Sequence, residues 1–167
     1  MGLITRQAAL DIVPPRLEVV TMVTPETSAS PLDLLEQIQK AQNAQDLEGF
    51  LNCFAEDYHS EQPVHPDRTF TGSTQVRKNW SAVFQSVPNF HAELLRTCWA
   101  GDTVWAEWEW KGTPVDGGSL WMRGVTLFGV RDGRLAWGRL YMEPVQEPQG
   151  GIEENVRKMT SGFNSLK

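Results

Sequence analysis

The sequence predicts an α+β fold in which helices from the first half of the chain cover one face of an antiparallel sheet formed by the second half. The main observation is a change of hydrophobic period, from the 3.6-residue spacing of helices before residue 88 to the two-residue spacing of strands after residue 90. A second observation is that six of the seven tryptophans lie between residues 99 and 143, among turn signals. A sheet that gathers apolar side chains on one face must be covered, and only the upstream helices are available to cover it.

Three helices are predicted in the first half. Ser30 followed by Pro31 marks the start of the first, because the serine hydroxyl caps free backbone amides and proline fits the first helical turn. A short second helix follows, and a third opens at Gly72. The apolar stripes of the three helices consist of Leu34, Leu35, Ile38 and Ala41; of Leu47, Phe50, Leu51 and Phe54; and of Val76, Trp80, Val83, Phe84 and Val87. Residues 58–64 are predicted to form a short extended segment between the second and third helices.

Four strands are predicted in the second half, over residues 90–99, 104–110, 120–130 and 135–143. Turns at residues 114–118 and at Asp132-Gly133 connect the last three, since glycine reaches positive φ without a steric penalty. The two-residue period predicts which side chains of each strand face the helices. They are Val104, Ala106, Trp108 and Trp110; then Met122, Gly124, Thr126 and Phe128; then Ala136, Gly138, Leu140 and Met142. A shift of one residue in the last strand would instead turn Arg139, Tyr141 and Glu143 inward, and the sequence leaves both registers open.

The composition bounds the kind of partner. The 167 residues carry 21 acidic and 15 basic side chains, and the resulting net charge of −6 disfavours nucleic acid or an anionic membrane as the main partner. Cys53 and Cys98 lie far apart in apolar segments, which favours two reduced, buried thiols over a disulfide or a metal site. No apolar run approaches the ~20 residues that span a bilayer, and the N-terminus lacks the pattern of a secretion signal, so we expect a cytoplasmic protein.

One globular domain is expected, because a chain of this length can bury a core without metals or disulfides. Residues 1–30 contain three prolines and only short apolar patches, which predicts an N-terminal arm. Residues 31–145 carry the periodic segments of the domain. Residues 146–167 begin with a run rich in Pro, Gln and Gly and are predicted to form a tail or a weakly docked helix.

The order of helix, helix, short strand, helix and four long antiparallel strands resembles the nuclear transport factor 2-like fold over about residues 31–145. The segments that carry the resemblance are Phe54-Ala55-Glu56-Asp57-Tyr58 leading into Gln62-Pro63, the helix start at Gly72, Arg123-Gly124-Val125-Thr126-Leu127-Phe128, Asp132-Gly133-Arg134-Leu135 and Tyr141. They are similar to the SnoaL-like branch, whose relatives include polyketide cyclases, ketosteroid isomerases and limonene epoxide hydrolases. The resemblance implies a cystatin-like cone, in which three N-terminal helices pack against a strongly curved, mostly antiparallel sheet around an apolar pocket.

The resemblance also implies where catalytic groups would lie. In similar isomerases a carboxylate base directly precedes the proline of the first strand, and here that position is Gln62, an amide that cannot act as a base near neutral pH. In similar epoxide hydrolases a tyrosine and an asparagine hold a water molecule, and Ser60 and Gln62 are the nearest counterparts. Similar cyclases need an inward acidic residue on the last strand, which the preferred register does not supply.

Acid–base candidates remain in and after the first strand. His65 and Glu61 are the predicted catalytic residues, since an imidazole pKa of roughly 6.5 suits proton transfer, although a solvated position in the turn explains His65 better. A metal site built from His59, Glu61 and His65 is disfavoured because prolines interrupt the set, and no cofactor is expected. The predicted ligand-binding residues are Ser60, Gln62, Trp80, Trp108, Trp110, Met122, Thr126, Leu140 and Met142. The strand preference of threonine explains Thr126 better than a ligand contact does, while packing and ligand binding explain the tryptophans equally well.

The opposite face of the predicted sheet mixes aromatic side chains with opposite charges. Its members include Trp105, Glu107, Trp121, Arg123, Trp137, Arg139 and Tyr141. Soluble monomers seldom expose so much aromatic surface, and Arg and Trp are enriched at protein interfaces. We therefore expect a homodimer through this face; the alternative is that the terminal arms cover it within one chain.

Two functions are compatible with these patterns. The first is binding of a small apolar ligand, a cyclic ketone or a polyketide-like molecule, with turnover by cofactor-independent isomerisation, cyclisation, hydration or epoxide hydrolysis. The second is a non-catalytic binding or assembly module that uses the outer sheet face. The pocket discriminates between them, because an enclosed cavity with an ionisable group favours catalysis and a cavity filled by Trp108, Trp110 and Met142 favours assembly.

Overall fold

The computed structural model describes residues 30–147 and 150–163, so the predicted N-terminal arm lies outside the described residues except for Ser30. The helices are α1 (Pro31–Ala44), α2 (Leu47–Leu51), α3 (Ser73–Ser86) and α4 (Ile152–Phe163). The strands are β1 (Phe54–Glu61), β2 (Phe70–Thr71), β3 (His91–Ala100), β4 (Thr103–Gly112), β5 (Leu120–Arg131) and β6 (Arg134–Pro144). A 3-10 turn, Pro66–Arg68, precedes β2.

In the described part of the chain, six strands form one sheet in the order β2-β1-β6-β5-β4-β3. Strands β1 and β6 run parallel, and the other neighbouring pairs are antiparallel. Helix α1 packs against β3 and β4, α3 packs against β1, and α2 bridges α1 and α3. This arrangement of helices on one face of a curved, mostly antiparallel sheet confirms the predicted α+β fold.

Local signals in the sequence explain where the first helix begins. The Ser30 hydroxyl accepts a hydrogen bond from the Leu32 N–H at 3.2 Å, and the Asp33 carboxylate accepts one from the Ser30 N–H at 2.8 Å. These reciprocal bonds form a capping box, which satisfies amides that have no partner within the helix.

The preferred register of the last strand is confirmed. Gly138 and Met142 are buried, whereas Arg139 and Tyr141 are exposed. The reason is the pairing with β5, in which the inward Thr126 lies opposite Leu140 and Gly124 lies opposite Met142. A bulge at the start of the strand alters one detail, since Leu135 is fully buried and Ala136 only half-buried.

The predicted second helix was too long. It ends at Leu51, and Phe54, which was assigned to its apolar stripe, is the first residue of β1 and pairs with Leu135 of β6. Phe54 is buried, as it would also be in the apolar stripe of a longer second helix. Helical spacing alone could therefore not distinguish a helical Phe54 from one in a strand. The extended segment therefore covers residues 54–61 rather than 58–64.

The prediction of two buried thiols is wrong for Cys98. Cys53 is buried, whereas Cys98 is exposed. Cys98 lies on the edge strand β3 opposite Trp105, on a face of the sheet that none of the described helices covers, and the strand is exposed from Arg96 to Ala100. The described helices include none long and apolar enough to cross a membrane.

Candidate functional site

A cavity of about 230 Å³ lies between helices α1 to α3 and the inner face of the sheet. Its helical lining consists of Ile38, Gln42, Phe50, Val76, Asn79, Trp80 and Val83. The sheet and the segment after β1 contribute Phe54, Tyr58, Ser60, Gln62, Phe70, Trp108, Trp110, Thr126, Phe128 and Leu140. Within the described ranges, no Asp, Glu, His, Lys or Arg side chain lines this cavity.

The two-residue period of the strands brings these side chains together. On β1 and just beyond it, Tyr58, Ser60 and Gln62 point to the cavity. On β4 and β5, Trp108 faces the cavity opposite Gly124, and Thr126 lies opposite Ala106. The inner face predicted from the sequence of β4 and β5 is thus the face that the cavity uses.

The structure brings seven of the nine predicted ligand-binding residues to the cavity and leaves two in the core. The seven are Ser60, Gln62, Trp80, Trp108, Trp110, Thr126 and Leu140. Met142 is buried in the hydrophobic core, and Met122 packs half-buried against it, so neither lines the cavity. Both methionines lie at the same end of the β5–β6 pair, Met122 near the start of β5 and Met142 near the end of β6, and Met122 pairs with Trp110 on one side and with Pro144 on the other.

Trp80 is the centre of the aromatic wall. Its ring lies 4.4 Å from that of Phe50 and 5.7 Å from that of Trp110, the latter nearly perpendicular at 77°. Phe90 packs edge-on against the same indole at 5.5 Å. Such edge-to-face contacts stabilise aromatic clusters beyond the burial of their area, so this wall is preformed rather than assembled around a ligand.

Trp108 and Thr126 form a buried hydrogen bond at the base of the cavity. The Trp108 Nε1–H donates to the Thr126 Oγ1 at 2.9 Å, and each residue is only 1% exposed. The threonine hydroxyl therefore has a structural partner, which strand preference alone does not explain. Because a buried indole N–H without an acceptor is costly, this bond holds the large Trp108 ring in one orientation.

Two other polar atoms in the wall have no such partner among the described residues. They are the Oε1 of Gln42, a residue 2% exposed, and the buried Nε1 of Trp110. One is an acceptor and the other can only donate. Buried polar groups in native proteins are rarely left unpaired, so these two atoms distinguish the cavity from ordinary core.

Tyr58 is the ionisable residue among the described residues that line the cavity. Burial raises the pKa of the Tyr58 phenol, while its hydrogen bond with Ser60 acts in the opposite direction. The phenol is consequently neutral at physiological pH and can donate a hydrogen bond. Gly138 makes room for it, because a Cβ there would meet the Tyr58 hydroxyl and the Phe128 ring.

Gln62 lies at the rim of the cavity, where it connects to the surface. Its Oε1 accepts a hydrogen bond from the Arg68 guanidinium at 3.3 Å, and its backbone carbonyl accepts one from the His65 N–H at 2.7 Å. The 3-10 turn and the residue before it thus hold Gln62 from outside the cavity. Both N–H donors of its side-chain amide are left for a ligand.

The two predicted catalytic residues, Glu61 and His65, do not line the cavity. The alternation of β1 turns Glu61 to the outer face, where its Oε2 accepts a bond from the Arg139 Nε at 2.7 Å and its Oε1 lies 3.3 Å from the His59 Nε2. The Arg139 bond, with a smaller contribution from His59, lowers the pKa of Glu61, which weakens it as a base. His65 contacts the Glu143 carboxylate at 2.8 Å on the exposed side of β6.

The predicted dimer face is the outer side of β4, β5 and β6. Trp105 and Trp121 are each 44% exposed and Tyr141 is 38% exposed. Trp137 is half-buried because its indole covers Gly129 across the strand pair, and the Arg139 guanidinium lies 6.0 Å from its ring. The remaining members are Glu107, which lies 3.7 Å from Arg96, and Arg123.

The opposite charges of this outer face form a cluster around Glu109. The Glu109 side chain is only 7% exposed although it points away from the core. It accepts hydrogen bonds from the Trp121 Nε1–H at 2.9 Å and the Arg123 Nε–H at 2.6 Å, and it contacts the Lys111 ammonium. The Lys111 bond, then the Trp121 bond and the Arg123 charge, lower the pKa of Glu109 to about 2.

Several residues that line the cavity were not predicted from the sequence. Gln42 follows Ile38 by four residues and Leu35 by seven, so a polar residue at a core position of the α1 stripe was the available signal. Asn79 similarly follows Val76 by three residues on α3.

Within residues 30–147 and 150–163, no group of three or more His, Cys, Asp or Glu side chains is arranged to hold a metal ion.

Comparison with known proteins places this architecture in a family. Residues 35–137 match the SnoaL-like domain. A search of the curated proteins gave no match.

Solved structures with the same fold share little sequence with the chain. IdmH from Streptomyces antibioticus, a candidate polyketide cyclase, is 21% identical with a TM-score of 0.60 over 69% of this chain and 93% of its own. AclR from Streptomyces galilaeus, a candidate hydroxylase, is 14% identical with a TM-score of 0.62 over 80% and 94%. A hypothetical protein of ketosteroid isomerase-like fold from Catenulispora acidiphila, in complex with trimethylamine, is 18% identical with a TM-score of 0.57 over 64% and 82%.

At these identities the structural likeness establishes the fold and not the activity. The family match covers more than half of the chain, in the part that forms the cavity walls from α1 to β6. The protein is a member of the SnoaL-like domain family.

Proposed function

We propose that the protein binds a small, uncharged and mostly apolar ring compound, of the cyclic-ketone or polyketide-like kind, in the cavity between α1 to α3 and the sheet. The observation that carries the proposal is the lining, an aromatic and aliphatic wall interrupted by a few neutral polar groups. Ligand sites commonly combine such a wall with a few oriented polar groups. The description of IdmH as a candidate polyketide cyclase agrees with this class of ligand.

The size of the cavity limits the ligand. Its volume of about 230 Å³ lies below the ~300–1,000 Å³ usual for drug-sized ligands, so the shape favours one or two rings over a four-ring skeleton. The contacts of Trp80 with Phe50 and Trp110 make a larger opening costly, because several packed rings would have to separate.

Turnover, in this proposal, is a cofactor-independent isomerisation, cyclisation or hydration assisted by neutral donors. Ser60 and Gln62 orient the ligand, and the protonated Tyr58 phenol stabilises negative charge that develops on a ligand oxygen. An acid–base role for Glu61 or His65 would have to be exercised outside the cavity, since neither lines it.

Binding is tested by titrating cyclic ketones against the intrinsic tryptophan fluorescence, with calorimetry as a second measurement. We expect saturable quenching, because Trp80, Trp108 and Trp110 all line the cavity. A cavity-filling variant, Val83→Phe, should weaken binding at least tenfold, whereas Val115→Phe in the exposed turn before β5 should bind as the wild type does. Equal affinity in Val83→Phe and the wild type would place the ligand elsewhere.

Ketosteroid isomerisation should remain at the buffer rate in the wild type, because Gln62 has no accessible proton affinity near pH 7. Gln62→Asp restores a carboxylate at this position and is the variant in which a trace of activity is expected. Robust wild-type turnover that survives Gln62→Ala would show that another residue is the base and would contradict the proposed site.

A second candidate function is assembly, and the exposed aromatic side chains of the outer face favour it. Trp105, Trp121 and Tyr141 lie on three adjacent strands, and burying them against a second copy would release about 25 cal/mol for each Å² of apolar surface. We propose a homodimer through this face, which is compatible with ligand binding because the cavity lies on the other face of the sheet. Sedimentation over a dilution series measures the oligomeric state and so tests the dimer.

A further inference from the structure

We propose that the cavity recognises a ligand with two different polar groups, a hydrogen-bond acceptor that takes the Trp110 N–H and a donor that gives to the Gln42 side-chain oxygen. An uncharged ring compound that carries both a carbonyl and a hydroxyl group is the simplest match. This inference rests on the proposed function and specifies the ligand of the same site. Gln42 and Trp110 thereby become specificity-determining residues.

The contrast between two neighbouring tryptophans supports the first half of the proposal. Trp108 and Trp110 lie on the same face of β4, and both line the cavity. The Trp108 N–H is satisfied by Thr126, whereas the buried Trp110 N–H has no acceptor in the described part of the chain. An indole nitrogen can only donate, so the group that completes Trp110 must be an acceptor.

The amides of α1 supply a second contrast. Asn43 clamps Ala92 of β3 through two hydrogen bonds, its Nδ2 donating to the carbonyl at 3.0 Å and its Oδ1 accepting from the N–H at 2.7 Å. Gln39 donates to the same carbonyl at 3.2 Å. These two amides attach the helix to the sheet, but the side-chain oxygen of Gln42, a residue next to Asn43 and 2% exposed, has no hydrogen-bond partner in the residues described.

A buried amide without a partner is unfavourable for folding alone, and the α1 stripe would accept an apolar residue at this position. Gln42 instead lines the cavity, as Trp110 does. An acceptor on helix α1 and a donor on strand β4, both from residues that line the cavity, can be satisfied together by a ligand that reaches both.

The rest of the lining excludes a charged ligand. No charged side chain lines the cavity within the described ranges, and the Tyr58 phenol stays protonated because burial raises its pKa. A carboxylate or ammonium group would lose its hydration without gaining a counter-charge. Neutral hydroxyl and carbonyl groups lose far less hydration free energy, and they match the unpaired Gln42 oxygen and Trp110 N–H.

The test uses a matched series of two-ring compounds: tetralin, α-tetralone, tetrahydronaphthol and a hydroxy-α-tetralone. Their affinities for the purified wild-type chain are measured by calorimetry. We expect the hydroxy-ketone to bind most tightly, with a loss of about tenfold for each polar group removed, the usual size of one hydrogen bond to a buried partner. Equal affinity across the series would overturn the inference but leave the proposed function intact, whereas binding by none of the four compounds would count against both.

Two variants assign the groups. Gln42→Leu should remove the advantage of the hydroxyl and preserve that of the carbonyl, while Trp110→Phe should do the reverse. Gln39→Leu, from the same helix, and Trp105→Phe, from the outer face of β4, are the matched controls and should keep both preferences. If Gln42→Leu keeps the full hydroxyl preference, the amide does not recognise the ligand.

Thermal unfolding of the ligand-free variants separates recognition from a structural role. Gln42→Leu should melt at the wild-type temperature or above, because leucine removes an unpaired buried amide from an apolar stripe. Asn43→Leu should melt lower, since it breaks two bonds to Ala92. A marked loss of stability in Gln42→Leu would mean that the amide serves the fold, and the inference would fail.

Discussion

Glu109 shows how a single carboxylate can be buried on the outside of a sheet. It points away from the core, yet Lys111, Trp121 and Arg123 surround it so closely that only 7% of its side chain is exposed. These partners favour the charged form, which is why the pKa of Glu109 is lowered from 4.5 to about 2. The residue therefore links stability to pH.

We expect this link to act under acid conditions. A carboxylate whose folded pKa lies below its ordinary value stabilises the fold fully above pH 4.5, and that contribution is lost as the pH falls toward 2. The urea midpoint of the wild type should therefore fall between pH 5 and pH 3, and Glu109→Gln should show a shallower fall, although it starts from lower stability at pH 7.

The control for this measurement is Glu107→Gln on the same strand. Glu107 lies 3.7 Å from Arg96, whose side chain is 87% exposed, so this pair is far more open to solvent. Glu107→Gln should keep the wild-type pH dependence. An unaltered acid slope in Glu109→Gln would contradict the assignment of this link to Glu109.

At the scale of the elements, the pairing of β5 with β6 depends on a close approach at Gly124. A Cβ at this position would collide with the Tyr141 carbonyl oxygen and the Met142 Cα, and backbone atoms cannot move aside as a side chain can. Gly124→Ala should lower the free energy of unfolding by about 2 kcal/mol or more, measured by urea denaturation. Gly151→Ala, where an added Cβ meets nothing, should change it little.

A wild-type free energy in Gly124→Ala would mean that the two strands separate without cost. In that case the close approach would not be what fixes the inward register of Leu140 and Met142.

The strands of the second half were largely predictable because their alternation continues over many residues. Trp105, Glu107 and Glu109 alternate with the apolar Val104, Ala106 and Trp108, and such a pattern fits only one pairing of faces. The short elements were less predictable. Phe54 satisfies both a helical and a strand spacing, and only its pairing with Leu135, distant in sequence, decides between them.

The cavity was predictable in its walls but not in its polar atoms. Trp108 and Thr126 followed from register once the inner face was known, and Ser60 was implied by the resemblance to epoxide hydrolases. The roles of Gln42 and Tyr58 depend on which buried polar atoms find partners, and those partners come from other elements. The outward position of Glu61 was hard to predict for a related reason, since its neighbour Arg139 lies on a strand 78 residues later.

At the scale of the whole molecule, the proposed homodimer is tested by a charge placed in the outer face. Trp105→Glu should convert a dimer into a monomer in sedimentation experiments from micromolar concentrations upward, because it replaces a 44% exposed indole by a charge. This site is preferable to Arg123, whose reversal would also disturb the nearly buried Glu109.

Val115→Glu provides the matched substitution, since Val115 is 71% exposed in a turn away from this face, and it should remain dimeric. A monomeric wild type at micromolar concentration would refute the dimer. If Trp105→Glu remains dimeric, the dimer interface lies on another surface.

The parallel pairing of β1 with β6 governs the order in which a newly made chain can fold. Its partners lie about 80 residues apart, so at ~5–20 residues per second Leu135 leaves the ribosome roughly 4–16 s after Phe54. During that interval the two-residue β2 is the one neighbouring strand in the described sheet that β1 can pair with, so the edge of β1 that later pairs with β6 stays accessible to chaperones. Because β6 pairs with Ser60 and supplies Leu140 to the lining, a nascent chain stalled before β6 lacks part of the cavity wall.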